Sequence, residues 1–227
     1  MADERQGRTL ADRLFHWGRR GSEDAPGDVS AGPDRPSPTK VLPKFLAALA
    51  HRDAPALLDL GPVVGPNVSF FGDRLGCRIL IEDLYADVDR FAREDRFAGL
   101  AQHFAGRLQQ ADASVDGILC WDLFDYLDKP SSQALGKQLS RILKPGGVLT
   151  GAFATTAATE RVFTKFVISD ERTLVQRPYR AARARGFVLN NRDISLLFPG
   201  MRVAESFLLL THTREILFRK ADTPHPA

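Results

Sequence analysis

The segment Asp59-Leu60-Gly61-Pro62-Val63-Val64-Gly65 carries an acid followed by two glycines at short spacing. Glycines without a Cβ let a backbone pass close to a ligand, and an acid bonds cationic or hydroxyl groups. A second acidic step, Glu82-Asp83, ends 24 positions after Asp59. In nucleotide-binding folds an acid at about that distance meets the hydroxyl pair of a ribose. A third group, Asp122, Asp125 and Tyr126, follows the apolar run 117–121. It reads either as groups that orient a substrate or accept a proton, or as a solvated turn with a packed ring. The stretch 177–185 interleaves Arg177, Arg180, Arg183 and Arg185 with Tyr179. It reads as a holder of anions or nucleic acid, or as a solvated basic face. His16, His51, His103, His212 and His225 are scattered and give no zinc-ligand spacing, so no metal is expected. There is no Gly-x-Ser-x-Gly elbow and no phosphate-binding Walker loop.

These residues need elements that bring them together. Val41, Leu42, Phe45, Leu46 and Leu49 share one helical face. Residues 56–60 read as a buried strand ending in Gly61, and 77–84 as a second strand. Residues 87–97 read as a helix and 117–121 as another buried strand. The clearest helix begins at Asp128 as cap with Pro130 in its first turn, then repeats Leu135, Leu139, Ile142 and Leu143. Lys144-Pro145-Gly146-Gly147 stops it, and 148–153 returns as a strand. Residues 203–210 and 215–220, separated by 211–214, read as an antiparallel hairpin. The alternation predicts an α/β, Rossmann-like, doubly wound fold: a mostly parallel sheet, helices on both faces, and a C-terminal antiparallel hairpin. In such sheets ligands sit outside the carboxyl ends of the strands.

With those elements in place the sequence resembles the class I S-adenosylmethionine-dependent methyltransferases, of the small-molecule, type 11-like kind. Asp59-Leu60-Gly61 through Gly65 matches the frame of that family's first motif, Asp83 or Glu82 its second-strand acid, and Arg141-Ile142-Leu143-Lys144-Pro145-Gly146-Gly147 its helix-to-strand element. The resemblance covers residues 40–220 and implies S-adenosyl-L-methionine as cofactor. It implies that Gly61 and Gly65 border the methionine part, that Asp83 bonds the ribose with Glu82 as alternative, and that Asp112 lies near the adenine. It also implies that Cys120 and Trp121 face cofactor and substrate. The fold's third strand has no obvious run between 97 and 108. One departure is Val63, preceded by Pro62, where the family has its central glycine. That loop is then weakly binding, reshaped or vestigial.

Composition sets the outer limits. The chain has 227 residues, 44% hydrophobic and 26% charged, enough for one large core. Net charge is +3, too balanced to argue for nucleic acid. Two cysteines, Cys77 and Cys120, make no disulfide scaffold and suit a reducing compartment. No targeting segment or membrane span is read, so the expectation is a cytoplasmic protein. Leu10, Leu14 and Trp17 recur at helical spacing, and the Pro/Gly-rich, aromatic-free stretch 18–39 reads as linker. The expected organisation is a flexible tail over 1–39 with a short amphipathic helix, a methyltransferase-like domain over 40–220, and a tail over 221–227. The resemblance implies methyl transfer to a small-molecule or macromolecular acceptor. The alternative is a binding or scaffold protein that kept the fold and lost turnover. A nicotinamide-dependent dehydrogenase is disfavoured by the absence of Gly-x-Gly-x-x-Gly after the first strand.

Overall fold

The computed structural model describes residues 29–222. The amphipathic helix expected around Leu10, Leu14 and Trp17, and residues 223–227 of the expected tail, lie outside them. In chain order the elements are β1 (Arg35–Pro38), α1 (Val41–Leu49), β2 (Ala56–Asp59), α2 (Gly65–Leu75), β3 (Arg78–Ile81) and α3 (Leu84–Arg93). A 3-10 turn at Phe97–Gly99, α4 (Leu100–Arg107), β4 (Val115–Leu119), a second 3-10 turn at Leu123–Tyr126, α5 (Lys129–Ile142) and β5 (Leu143–Ala154) follow. The chain continues with β6 (Val162–Asp170), β7 (Thr173–Arg180), α6 (Asn191–Leu196), β8 (Met201–Leu208) and β9 (Thr213–Lys220).

A six-stranded sheet runs in the order β3-β2-β4-β5-β9-β8. Strands β3, β2, β4 and β5 are parallel. The terminal β8–β9 hairpin joins β5 antiparallel. Every residue of β2 and β4 is buried, as expected for central strands covered on both faces. One face packs α3, α4 and α5 through Val88, Phe104 and Leu139. The other packs α1 and α2 through Phe45 and Phe71. Gly117 shows how close that second packing is. A Cβ there would sit 2.8 Å from Leu57 and from Phe45.

The expected cap and stop of the long helix are present in modified form. Asp128 accepts from Ser131 N at 2.9 Å and starts α5. The helix then passes directly into β5, so Lys144-Pro145-Gly146-Gly147 opens the strand rather than a loop. No strand forms between α3 and β4 among the described residues; α4 occupies that stretch. Leu100 and Phe104, four apart, bury one helical face there and leave no extended alternation to pair with β3.

The expected linker is corrected. Residues 35–38 are strand β1, paired antiparallel to β7. Ser30 bridges Tyr179, and Thr39 N bonds Arg172 O at 2.8 Å. The prolines Pro36 and Pro38 are tolerated because β1 is the edge of a three-stranded sheet ordered β1-β7-β6. No described helix is long and apolar enough to cross a membrane.

Candidate active site

The small sheet caps the carboxyl end of the central one. Asn67, buried in α2, holds it by both amide atoms. Its Nδ2 donates to Phe166 O, and its Oδ1 accepts from Ile168 N, each at 2.8 Å. Tyr126 Oη donates to Val162 O at 2.8 Å. At the strand ends Asp59 and Asp122 are buried, while Trp121 and Asp83 remain half-buried.

Asp59 ends β2 with 5% exposure. Its Oδ1 accepts from Gly61 N at 2.9 Å and from Trp121 Nε1 at 2.7 Å. Burial raises its pKa to about 6 against the lowering effect of those two bonds, and the charge of Asp83 adds to the rise. Trp121 is the second residue past β4 and sits in the left-handed region, φ 49°. That backbone turns the indole across Gly61, where a Cβ would lie 2.9 Å from Trp121 Cδ1. The indole stacks on Phe166 with centroids 5.4 Å and planes 7° apart. Gly65, by contrast, has nothing within 4 Å of where a Cβ would stand. Val63 is 62% exposed, so its branch points to solvent and does not crowd the loop's inner side.

Two hollows flank this partition. The larger, about 510 Å³, is lined by Pro62, Asp83, Tyr85, Phe163, Lys165 and Arg183, among others. The smaller, about 160 Å³, is lined by Trp121, Phe166, Asp122, Asp125, Arg185 and Glu215, among others. Asp83 also caps α3, accepting from Ala86 N at 3.0 Å. Glu215 Oε2 accepts from Lys40 N at 2.7 Å and Val41 N at 3.0 Å, tying α1 to β9.

The acids of the smaller cavity are nearly sealed. Asp122 is 3% exposed, and its Oδ1 accepts from the Tyr85 hydroxyl. Its Oδ2 is buried with no partner. Burial raises the Asp122 pKa to about 6, opposed by the Tyr85 bond and by Arg185. Asp125, 1% exposed, accepts from Ala154 N at 3.1 and 3.0 Å through its two oxygens. Burial and then the Asp122 charge push its carboxyl well above the usual range. Burial also raises the Tyr85 and Tyr126 phenols. Paired acids with displaced titrations in a cleft have the chemistry of a proton acceptor.

Of the eight residues expected from sequence, Asp83 lines the larger hollow and Trp121 the smaller, while Asp59 and Gly61 line neither and adjoin the Trp121 indole. Gly65 opens α2 beside them. Three depart from expectation. Glu82 lines neither hollow. Arg107 at 2.7 Å and Gln110 at 2.8 Å hold its carboxylate. Asp112 precedes β4 and so sits at the amino-terminal edge of the sheet, opposite the cleft. It pairs there with Arg141 at 2.7 Å. Cys120 is fully buried in the core and lines neither hollow, and burial raises its thiol pKa well above the ordinary range.

Sequence reasoning missed Tyr85, Phe166 and the whole β6–β7 hairpin. The run 162–168 and the turn 170–172 were the available signal. Within 177–185 only Arg185 joins the acids. Arg177 pairs with Asp34 at 2.9 Å, and Arg183 lies over Phe97 at 3.8 Å. No metal-binding cluster is found among the described residues.

Residues 58–150 match the family model of a methyltransferase domain. No curated protein gives a significant match. Among solved structures, the PH0226 protein of Pyrococcus horikoshii OT3 is similar at 16% identity and a TM-score of 0.47, over 78% of this chain and 88% of that one. A Burkholderia thailandensis 1,6-didemethyltoxoflavin-N1-methyltransferase is similar at 19% identity and a TM-score of 0.45, over 80% and 78%. A SAM-dependent methyltransferase of Methanosarcina mazei is similar at 13% identity and a TM-score of 0.46, over 82% and 99%.

Proposed function

We propose that this chain, whose residues 58–150 match a methyltransferase domain, is a class I S-adenosylmethionine-dependent methyltransferase that transfers a methyl group to a small acceptor held beside Asp122. One observation carries the reading: two hollows lie at the carboxyl ends of the strands, one lined by Asp83 and Tyr85 and the other by Asp122, and the Tyr85 hydroxyl donates to Asp122 between them. A donor and an acceptor need two neighbouring compartments, and the Tyr85–Asp122 pair stands between these two.

The residues fit S-adenosyl-L-methionine unevenly. The larger hollow has the volume for a nucleoside, and an acid, Asp83, lines it. Gly65 leaves open space beside the start of α2, whose first turn has no side-chain cap. Pro66 carries no N–H, and Asn67 N and Val68 N bond Val64 O at 3.0 and 3.3 Å, so at most the Gly65 N–H is left to meet an anionic group. The methionine end would share the side of Gly61 with the Trp121 indole. Asp83 and Gly65 are thus the residues proposed to hold the cofactor, with Trp121 turning aside. Bound there, the cofactor supplies a methyl group already activated on a sulfonium.

The protein's own work is alignment and dryness. The β1-β7-β6 sheet excludes water from the strand ends. Asp122 takes the acceptor's proton on Oδ2 while Tyr85 holds Oδ1 in place. Arg185 faces both acids and stabilises the charge.

A second reading, a binding protein without turnover, is favoured by the indole over Gly61. Calorimetric titration with S-adenosylmethionine, its demethylated product and a nicotinamide dinucleotide separates them. Binding of the first two alone supports the enzyme; binding of none supports the scaffold.

A further inference from the structure

The smaller cavity selects among acceptors by size, wall and polarity. We propose that it holds a compact single-ring compound, an azole or a phenol, that donates its N–H or O–H to Asp122 Oδ2. That this ring is the methyl acceptor rests on the methyltransferase reading; that it binds does not.

Size comes first. The cavity measures about 160 Å³. An engineered apolar cavity of about 150 Å³ holds one benzene. Peptides, lipids and nucleotides are therefore too large for it as it stands. The walls come next. Leu42, Leu119, Leu174 and the stacked Phe166 present apolar surface to a flat body, and the hydroxyls of Thr39, Thr150 and Thr164 and the Gln176 amide also line the cavity.

Polarity then fixes the contact. Asp122 is 3% exposed with Oδ1 engaged by Tyr85 and Oδ2 unpartnered. A buried carboxylate oxygen without a donor is rare in folded proteins and calls for one. The other acids lining the cavity are committed: Asp125 to Ala154 N, Glu215 to the start of α1. Arg185 lines the same cavity and already balances one acid. The missing partner is thus a single donor on an otherwise apolar ring, not a multiply charged cation.

The test uses the full chain without cofactor. Phenol, imidazole and toluene at millimolar concentration are titrated and followed by ligand-observed NMR. Phenol and imidazole should bind, with toluene, which lacks a donor, at least tenfold weaker. Asp122→Asn keeps the shape but turns a donor toward the ring. It should weaken phenol and imidazole at least tenfold and leave toluene unchanged. Thr164→Phe fills the cavity from the small sheet and should abolish all three, which keeps the test decisive if Asp122→Asn does not fold. Toluene binding as tightly as phenol, or donor rings insensitive to both variants, would overturn the assignment. Ring binding without cofactor binding overturns only the methyltransferase reading. Cofactor binding without ring binding overturns only this one.

Discussion

In the proposed site the Trp121 indole lies on the side of Gly61 assigned to the methionine end of the cofactor, so its removal should tighten cofactor binding rather than weaken it. Turning aside costs the Nε1–H bond to Asp59 at 2.7 Å and the stack on Phe166. A hydrogen bond to a charged group contributes about 1.5–3 kcal/mol, and an aromatic pair about 0.5–1.5 kcal/mol. Together they withhold about 2–4.5 kcal/mol, or roughly 30- to 2,000-fold in affinity. Trp121→Phe removes only the hydrogen bond and leaves Asp59 accepting from Gly61 N. The expected gain is at the low end, about tenfold in Kd for S-adenosylmethionine by calorimetry. In a Trp17→Phe background the emission of Trp121 should also shift when the demethylated product saturates the site. Parental or weaker affinity in Trp121→Phe, together with unchanged Trp121 emission, would refute the displaced-indole argument.

Four further outcomes are expected. Asp83→Asn keeps the cap on α3 but removes the charge, so cofactor binding should weaken about five- to tenfold with the melting temperature unchanged; equal binding would remove Asp83 from the site. Asp59 and Asp122 titrate near 6 in the folded chain against 3.8 when free, so the native state holds extra protons between pH 4 and 6 and loses stability as pH rises through that window. Each costs about 3 kcal/mol of stability over the whole window, and Asp122→Asn, still facing Tyr85, Tyr126, Asp125 and Arg185, should flatten the pH dependence of unfolding free energy between pH 3 and 7 by about that amount. Gly136→Ala would put a Cβ 2.0 Å from Leu197 O, so it should destabilise by about 3 kcal/mol although alanine otherwise favours a helix by about 1 kcal/mol. A chain starting at Lys40 loses β1, and hydrogen exchange at β7 should accelerate while β2 and β4 stay protected.

The central sheet was legible in the sequence because its strands are short apolar runs bounded by strong stops. Residues 56–59 and 115–119 are continuously buried, and Asp128 and Pro130 mark the start of α5. The small sheet was not, because its signals are weak one at a time. Pro36 and Pro38 argue against a strand unless the edge position is known, and Arg177, Pro178 and Arg180 mask the alternation of β7. The acid at the end of the second strand was legible as a pair, yet choosing between Glu82 and Asp83 required Arg107 and Gln110, which lie 25 and 28 residues away. Asp112 was misplaced because the third strand of the expected fold is replaced by α4, which moves that acid to the far edge.

Val63 illustrates why a motif departure needs the backbone before it has a meaning. From sequence it is a branched side chain in a loop that should be glycine. In the fold it is 62% exposed, and the crowding at Gly61 comes instead from Trp121, 60 residues later. Val63→Gly should therefore leave cofactor binding unchanged while loosening the free loop. The displacement of the obstacle from the loop to the end of β4 also changes what it can do. A valine in the loop would be a permanent block. An indole held by one hydrogen bond and one stack is a barrier of a few kcal/mol, within reach of the binding energy of a small ligand. It also links the two proposed subsites, because it lies against Gly61, which precedes Pro62 of the larger hollow, and it lines the smaller cavity with its stacking partner Phe166. Moving the indole for one ligand thus alters the wall met by the other. The two ligands should bind with coupled affinities, equal in either order of addition.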